Sequence, residues 1–210
     1  MADPASERLA DALALAAHDL AEPLREVRGF AELLERRAAD RLTPEDEALL
    51  AHVLAGARRM TAIVEGLGAY LRAERIPLRP EAVEIGALLG DGVEAGDIPA
   101  VRGDRALLRD LFAGLVDNAR KFGASSVAVS GRREGETVLV EVADDGVGVP
   151  EGDGERVLRL FQRAHPRDEY AGAGAGLTIA ATIAARHGGR LAVHSREGGG
   201  TVVRVALPAA

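Results

Sequence analysis

Apolar residues recur at spacings of three and four along two long, glycine-poor stretches near the start of the chain, and no other feature limits the possible folds so tightly. In the first stretch the series is Leu9, Leu13, Ala16, Leu20, Leu24, Val27, Ala31 and Leu34. In the second it is Leu50, Val53, Ala57, Met60, Val64, Leu67 and Leu71. Sustained three-four alternation puts these side chains on one stripe of an α-helix, a seam of the coiled-coil type. Between the stretches, Thr43 suits an N-cap, Pro44 the first helical position and Asp46 the carboxylate of a capping box. The expected unit over residues 1–75 is an antiparallel helical hairpin. Two helices bury a seam on one side only, so pairing of two copies into a four-helix bundle is the economical solution.

Pro77 and Pro80 end helical structure and mark a linker over residues 76–82. The pattern is mixed over residues 83–210. Val83 to Ile85 suggests a short strand, and Ala106 to Phe122 a helix with Leu107, Leu108, Leu111, Leu115 and Val116 on one face. Ser126 to Ser130 and Val138 to Val142 read as strands flanking a polar turn. Leu177 to Ala185 reads as a helix stopped by Gly188-Gly189, and Leu191 to His194 with Thr201 to Leu207 as a closing strand pair. Helices with mostly antiparallel strands in this arrangement predict an α+β sandwich. The fold class is therefore an all-α hairpin, dimerised as a bundle, followed by an α+β domain.

Composition excludes several classes. The net charge is −7, with an acidic pI near 5.3, where a phosphate-backbone binder carries a basic patch. No window reaches the ~18 apolar residues of a membrane span, and the first residues lack a signal peptide's apolar core. The absence of cysteine rules out disulfides and thiolate metal sites. The expectation is a cytoplasmic protein that neither binds nucleic acid nor inserts in a membrane.

Four places carry residues suited to chemistry. His18-Asp19 lies on the flank of the first seam, with Pro23 removing a backbone donor one turn on. A neutral imidazole beside a carboxylate makes a nucleophile with its own proton acceptor, although a surface histidine on a kinked helix has the same signature. Asp117-Asn118-Ala119-Arg120-Lys121 ends a helix. An Asn oxygen suits Mg²⁺, and Lys121, the single lysine against twenty-five arginines, suits a phosphate. An ordinary polar helix end would look alike. Asp144-Asp145-Gly146-Val147-Gly148 leaves an apolar strand. Its glycines allow close approach of a ligand to the main chain, and its first carboxylate could accept from an exocyclic amine. Asp-Gly pairs also make plain turns. Gly172-Ala173-Gly174-Ala175-Gly176 runs into a helix, where free N–H groups could meet phosphate. No strand precedes it, so a dinucleotide-binding fingerprint fails its context, and a flexible small-residue loop is the other reading.

In order, these motifs resemble the catalytic core of sensor histidine kinases of two-component signalling. His18-Asp19-Leu20-Ala21-Glu22-Pro23 is similar to the H box in its phytochrome-type form, and Leu115 to Phe122 resembles the N box. Asp144 to Pro150 is similar to the G1 box, Leu160 to Arg163 to the F box, and Gly172 to Leu177 to the G2 box. The resemblance spans nearly the whole chain, and it implies that the α+β domain is an ATP-binding domain of the histidine-kinase (Bergerat) type.

The resemblance also implies roles. His18 would accept the phosphoryl group and Asp19 would act as general base. Asn118 would hold Mg²⁺, Lys121 would contact phosphate, and Asp144 would bind the adenine amine, with Gly146 and Gly148 shaping its pocket. Residues from about Glu151 to Ala175 would form an ATP lid, with Gly174 and Gly176 near the phosphates. The implied cofactors are ATP and Mg²⁺. The implied partners are a second copy through the hairpin, a response-regulator receiver domain, and an upstream sensor domain or sensor protein, the chain being a fragment of a receptor or a small kinase. The alternative function is a phosphatase-biased or non-catalytic dimeric scaffold. Four departures stand out. Asp145 replaces the usual Asn and is expected to add negative charge near the nucleotide. Leu158 replaces a Phe and is expected to loosen the lid. The stretch Ile85 to Val101 is short, so the first helix of the domain looks trimmed. Glu22 stands where many such kinases carry Thr or Asn, and would repel an aspartyl phosphate. His52, His165, His187 and His194 lack metal-ligand spacing and are expected to be structural or solvated.

Overall fold

The computed structural model describes residues 4–165, 170, 172–196 and 198–210, with side chains from residue 8 onward. The chain divides into two compact units, 1–71 and 72–210.

The first unit is helical. Helix α1 spans Pro4–Ala38 and runs uninterrupted through Pro23, and α2 spans Pro44–Arg75. The turn between them closes with N–H groups of Arg41 and Leu42 donating to the Ala38 carbonyl. The capping box forms as expected. The Asp46 N–H donates to Thr43 Oγ1 at 3.2 Å, while the Asp46 carboxylate takes the Thr43 hydroxyl at 2.6 Å and its N–H at 3.1 Å. Those hydrogen bonds hold the Asp46 carboxyl below its ordinary value. Glu32 and Arg58 form an ion pair across the hairpin. The buried line within one chain is Ala17 and Ala31 on α1 and Leu54, Ala57, Thr61 and Leu71 on α2. The larger seam residues Leu9, Leu13, Leu20, Val27 and Leu34 lie exposed beside it, as do Val53 and Met60. The inner contact thus combines alanines with Leu54 and Leu71, and much of the bulky seam remains open on the outside.

The second unit carries the sheets. Short β1 (Glu81–Val83), β2 (Glu94–Ala95) and β3 (Val101–Gly103) precede α3 (Arg105–Lys121). Then come β4 (Val127–Glu134), β5 (Thr137–Asp144), α4 (Gly176–Arg186), β6 (Arg190–Ser195) and β7 (Thr201–Pro208). β1 pairs antiparallel with β3, and the main sheet has the order β2-β4-β5-β7-β6, antiparallel except for the parallel β2–β4 pair. The strand expected at Val83 to Ile85 is displaced: Val83 ends β1 opposite Val101, and Ile85–Leu88 is a 3₁₀ turn. That turn stands where the trimmed helix was expected. Val127 and Val129, Val138, Val140 and Val142, and Val203, Val205 and Leu207 face inward, where Leu108, Leu111, Phe112 and Leu115 of α3 and Ile183 of α4 cover them. Each such side chain contributes about 1.5–3 kcal/mol on leaving water.

Helix α3 starts on a buried cap. One Asp104 carboxylate oxygen accepts from the N–H groups of Ala106 (3.0 Å) and Leu107 (3.1 Å), and the other accepts from Arg79 N–H (3.0 Å). Burial pushes the Asp104 carboxyl up, but these hydrogen bonds outweigh it and hold it below its ordinary value of 3.8. Removing the carboxylate in Asp104→Ala leaves three backbone donors unpaired and should cost about 2 kcal/mol, read by urea unfolding at neutral pH. The folded value is the lower one, so the carboxylate's contribution is complete above the ordinary value. It should disappear as the pH falls from there through the folded value. The difference between the natural chain and Asp104→Ala should therefore narrow in acid.

Candidate active site

The alternation of β5 decides where its last residue points. Val138, Val140 and Val142 face the helices, and Asp144 occupies the next inward position, 8% exposed. Its Oδ1 accepts from Gly146 N–H at 2.9 Å and from Thr201 N–H at 3.1 Å. No hydrogen bond occupies Oδ2 among the described residues, so one carboxylate oxygen is held in place while the other is free to accept. Arg196 donates to the Asp144 carbonyl at 3.2 Å.

The loop after Asp144 is fastened to the end of α3. The Phe122 carbonyl accepts from Val147 N–H at 3.1 Å, and a β-carbon on Gly146 would meet that same oxygen at 2.7 Å. Gly200, at φ +93°, presses on the Asp144 carbonyl so closely that a β-carbon has no room. The loop that carries Gly146 and Gly148 is thus joined to the C-terminal end of α3, the helix that carries Asn118 and Lys121. Asn118 is half-buried on α3, and its carboxamide makes no hydrogen bond among the described residues. Partial desolvation, together with the nearby Arg163 guanidinium, lowers the Lys121 ammonium below its ordinary value. Gly172 lies directly against Lys121 Nζ, Gly174 against the backbone of Phe161 and Gln162, and Gly176 opens α4. The site thus combines a carboxylate oxygen and a carboxamide with no hydrogen bond among the described residues, an ammonium and a glycine-lined helix start, a set that suits a nucleotide and its phosphates.

Sequence reasoning missed the side of the site built by aromatics. The Phe122 ring packs against Tyr170 (4.9 Å between centroids) and His165 (5.6 Å), and Lys121 Nζ lies 5.2 Å from the Phe122 centroid. His165 Nε2–H donates to the Gly148 carbonyl at 2.7 Å. Arg163 ties the segment together by donating to the carbonyls of Tyr170 and Gly172. Phe161 sits at φ +64°, and its N–H donates to the Gly174 carbonyl. Leu158 is half-buried on the core beside buried Val157. The remainder of the expected lid, 166–169 and 171, lies outside the described residues. Nothing in the spacing of Phe122, His165 and Tyr170 marked them as partners, because long-range folding alone brings them together.

Asp145 has partners of its own: its carboxylate accepts from the N–H groups of Ser125 (2.8 Å) and Ser126 (2.9 Å) and from the Ser125 hydroxyl (2.6 Å). The Ser125 hydroxyl is foremost in holding this carboxyl below its ordinary value. His18 and Asp19 lie in the first unit, both exposed on α1 one turn before Pro23. Glu22 is exposed on the same helix.

Two family models match the chain. The one described as histidine kinase-, DNA gyrase B- and HSP90-like ATPase covers residues 103–210, just over half of it. The His Kinase A (phospho-acceptor) domain covers residues 8–75. The chain belongs to the sensor histidine kinases. It is a catalytic core of that family, with a phospho-acceptor hairpin and an ATP-binding domain. The phytochrome-like protein Cph1 of Synechocystis sp. is 27% identical over 92% of this chain and 28% of its own length. The sensor-like histidine kinase SenX3 of Mycobacterium tuberculosis is 31% identical over 95% of this chain and 53% of its own. The chain thus spans little more than a quarter of the phytochrome relative. Among solved structures, full-length ShkA in complex with AMPPNP matches with a TM-score of 0.65 and 26% identity, over 95% of this chain and 46% of that one.

An Asn at position 145 keeps one oxygen for the two serine N–H groups and turns an amide toward the Ser125 hydroxyl. Asp145→Asn should therefore leave the melting temperature nearly unchanged, and Asp145→Ala should lower it modestly. ATP affinity of Asp145→Asn, read by calorimetry, should stay within about twofold of the natural chain.

Proposed function

We propose that this kinase core phosphorylates its own His18 from ATP and passes the phosphoryl group to an aspartate of a response-regulator receiver domain. The observation that carries the reading is the Asp144 carboxylate, anchored through Oδ1 and free at Oδ2, beside the unpartnered Asn118 amide. Oδ2 accepts from the exocyclic amine of adenine, and Gly146 and Gly148 let the base approach the main chain. Lys121 and the N–H groups at the start of α4, beyond Gly174 and Gly176, face the phosphates. The Asn118 oxygen, which no donor among the described residues occupies, fits a hard cation, and Mg²⁺ bound there would neutralise phosphate charge.

Phosphoryl transfer demands positioning more than covalent help from the protein. A ring nitrogen of His18 attacks the γ-phosphorus, an N–P bond forms, and the bond to the β–γ bridging oxygen breaks with its electron pair leaving on ADP. The ring proton passes to Asp19, whose carboxylate is adjacent on α1. Both side chains are exposed, as a nucleophile serving two successive partners requires. The open stripes of Leu9, Leu13, Leu20, Val27 and Leu34 on α1 and Val53 and Met60 on α2 support pairing of two hairpins into a four-helix bundle. Residues 1–75, 76–82 and 83–210 then act as phosphotransfer hairpin, linker and ATP-binding domain. Input comes from an upstream sensor domain or protein, and the site of action is the cytoplasm. No helix among the described residues is long and apolar enough to cross a membrane. The intact nucleotide residues favour catalysis over a non-catalytic or phosphatase-biased scaffold, and Glu22 disfavours phosphatase chemistry by its charge.

Incubation with γ-labelled ATP and Mg²⁺ should give an acid-labile, base-stable label that vanishes in His18→Ala. Label that persists in that variant would overturn the assignment of the nucleophile. Asp144→Asn keeps an oxygen for Gly146 and Thr201 but turns a donor toward the adenine amine. It should weaken ATP binding by about tenfold or more, since a hydrogen bond to a charged acceptor contributes about 1.5–3 kcal/mol.

A further inference from the structure

The proline linker is held by side chains from further along the chain. The prolines explain why an outside donor is needed. In a helix the Ala73 carbonyl would take the N–H of residue 77, and the Ile76 carbonyl would next look to residue 80. Both positions are proline and have no N–H. One guanidinium replaces both missing donors: Arg186 Nη1 donates to the Ala73 carbonyl and Nη2 to the Ile76 carbonyl, each at 2.6 Å. Between the prolines, the Arg79 N–H is spent on the Asp104 carboxylate. Asp104 in turn gives its own N–H to His187 Nε2 at 2.9 Å, and His187 Nδ1–H donates to the Ile183 carbonyl at 2.7 Å. Two consecutive residues at the end of α4 therefore hold the linker, Arg186 directly and His187 through Asp104. Ala73 and His187 are buried, at 3% and 8% exposure.

Helix α4 is the common part. Its 11 residues make a rod about 16 Å long, beginning at Gly176 beside the glycine segment that lies on Lys121 and ending at this clasp. We propose that Arg186 is a positioning residue for His18 phosphorylation, a two-pronged clasp that locks the end of α2 and the proline linker to the nucleotide-bearing helix. It touches neither ATP nor His18. The planar fork matters because a lysine ammonium cannot span the two carbonyls with the same geometry. Releasing the clasp turns a pinned segment into a flexible tether, and the ATP domain then spends less time in the attack geometry.

This inference rests on the kinase reading above, and the test separates the two. In the full chain, Arg186→Ala should lower the labelling rate at saturating ATP by about tenfold. ATP affinity should stay within about twofold. Arg186→Lys should fall between. Pro77→Ala restores an N–H for the Ala73 carbonyl, so Arg186→Ala should cost less in that background. Hydrogen exchange should speed up at the amides of Ile76, Leu78 and Arg79 in Arg186→Ala. The proposal is overturned if rate and affinity fall together, if Arg186→Ala costs the same with and without Pro77, or if labelling and linker exchange are unchanged. A natural chain that takes no label sinks the kinase reading instead, and linker exchange still decides whether the clasp exists.

Discussion

Most of the nucleotide site depends on one backbone oxygen, the Phe122 carbonyl at the end of α3. It takes the N–H of Val147 and sits where a β-carbon on residue 146 would have to go. Through that contact the helix bearing Asn118 and Lys121 and the loop bearing Asp144 become one rigid corner. The serine pair at the start of β4 is fastened to the same loop by Asp145. A substitution at Gly146 would therefore act on two groups of ligand contacts, because it would part the loop from the helix.

The aspartates of the second unit divide by what they hold. Asp104 and Asp145 have their carboxylates engaged by backbone N–H groups, at a helix start and at a strand start. Their charge is spent on architecture, and hydrogen bonds hold both carboxyls below their ordinary value, foremost the Ser125 hydroxyl for Asp145 and the backbone N–H groups, against the effect of burial, for Asp104. Asp144 keeps one oxygen in reserve. Residues of the same type, two of them adjacent in sequence, thus serve opposite purposes because strand alternation turns Asp144 inward and leaves Asp145 outward. On the other side of the site, Arg163 donates to the Tyr170 carbonyl, and the Phe122 ring packs against His165 and Tyr170 beside the Lys121 ammonium.

Local signals were legible where the physics is local. The capping box of Thr43 and Asp46 needs four residues and no tertiary partner, and it forms as read. The inward place of Asp144 follows from the period of two in Val138, Val140 and Val142. The seam was legible as apolar but not as to which partner each line would meet. Inside the hairpin the buried positions are Ala17 and Ala31 on α1 with Leu54, Ala57, Thr61 and Leu71 on α2, a set that the apolar period alone does not single out. The strand near residue 83 slipped because a three-residue strand carries almost no pattern, and pairing with Val101 decides its position.

By itself the sequence determined that there would be a helical hairpin and an α+β domain, and it set out in order the motifs that resemble those of sensor histidine kinases. Periodicity, caps and glycine placement act over a few residues, so they survive without knowledge of the fold. Only the tertiary structure decided that Asp145 binds serines, that Phe122, His165 and Tyr170 form one cluster, and that Arg186 supplies the donors Pro77 and Pro80 lack. Each of those contacts joins groups between five and more than one hundred residues apart. Their partners are chosen by how the sheet and helices pack, a choice that no short stretch of chain contains.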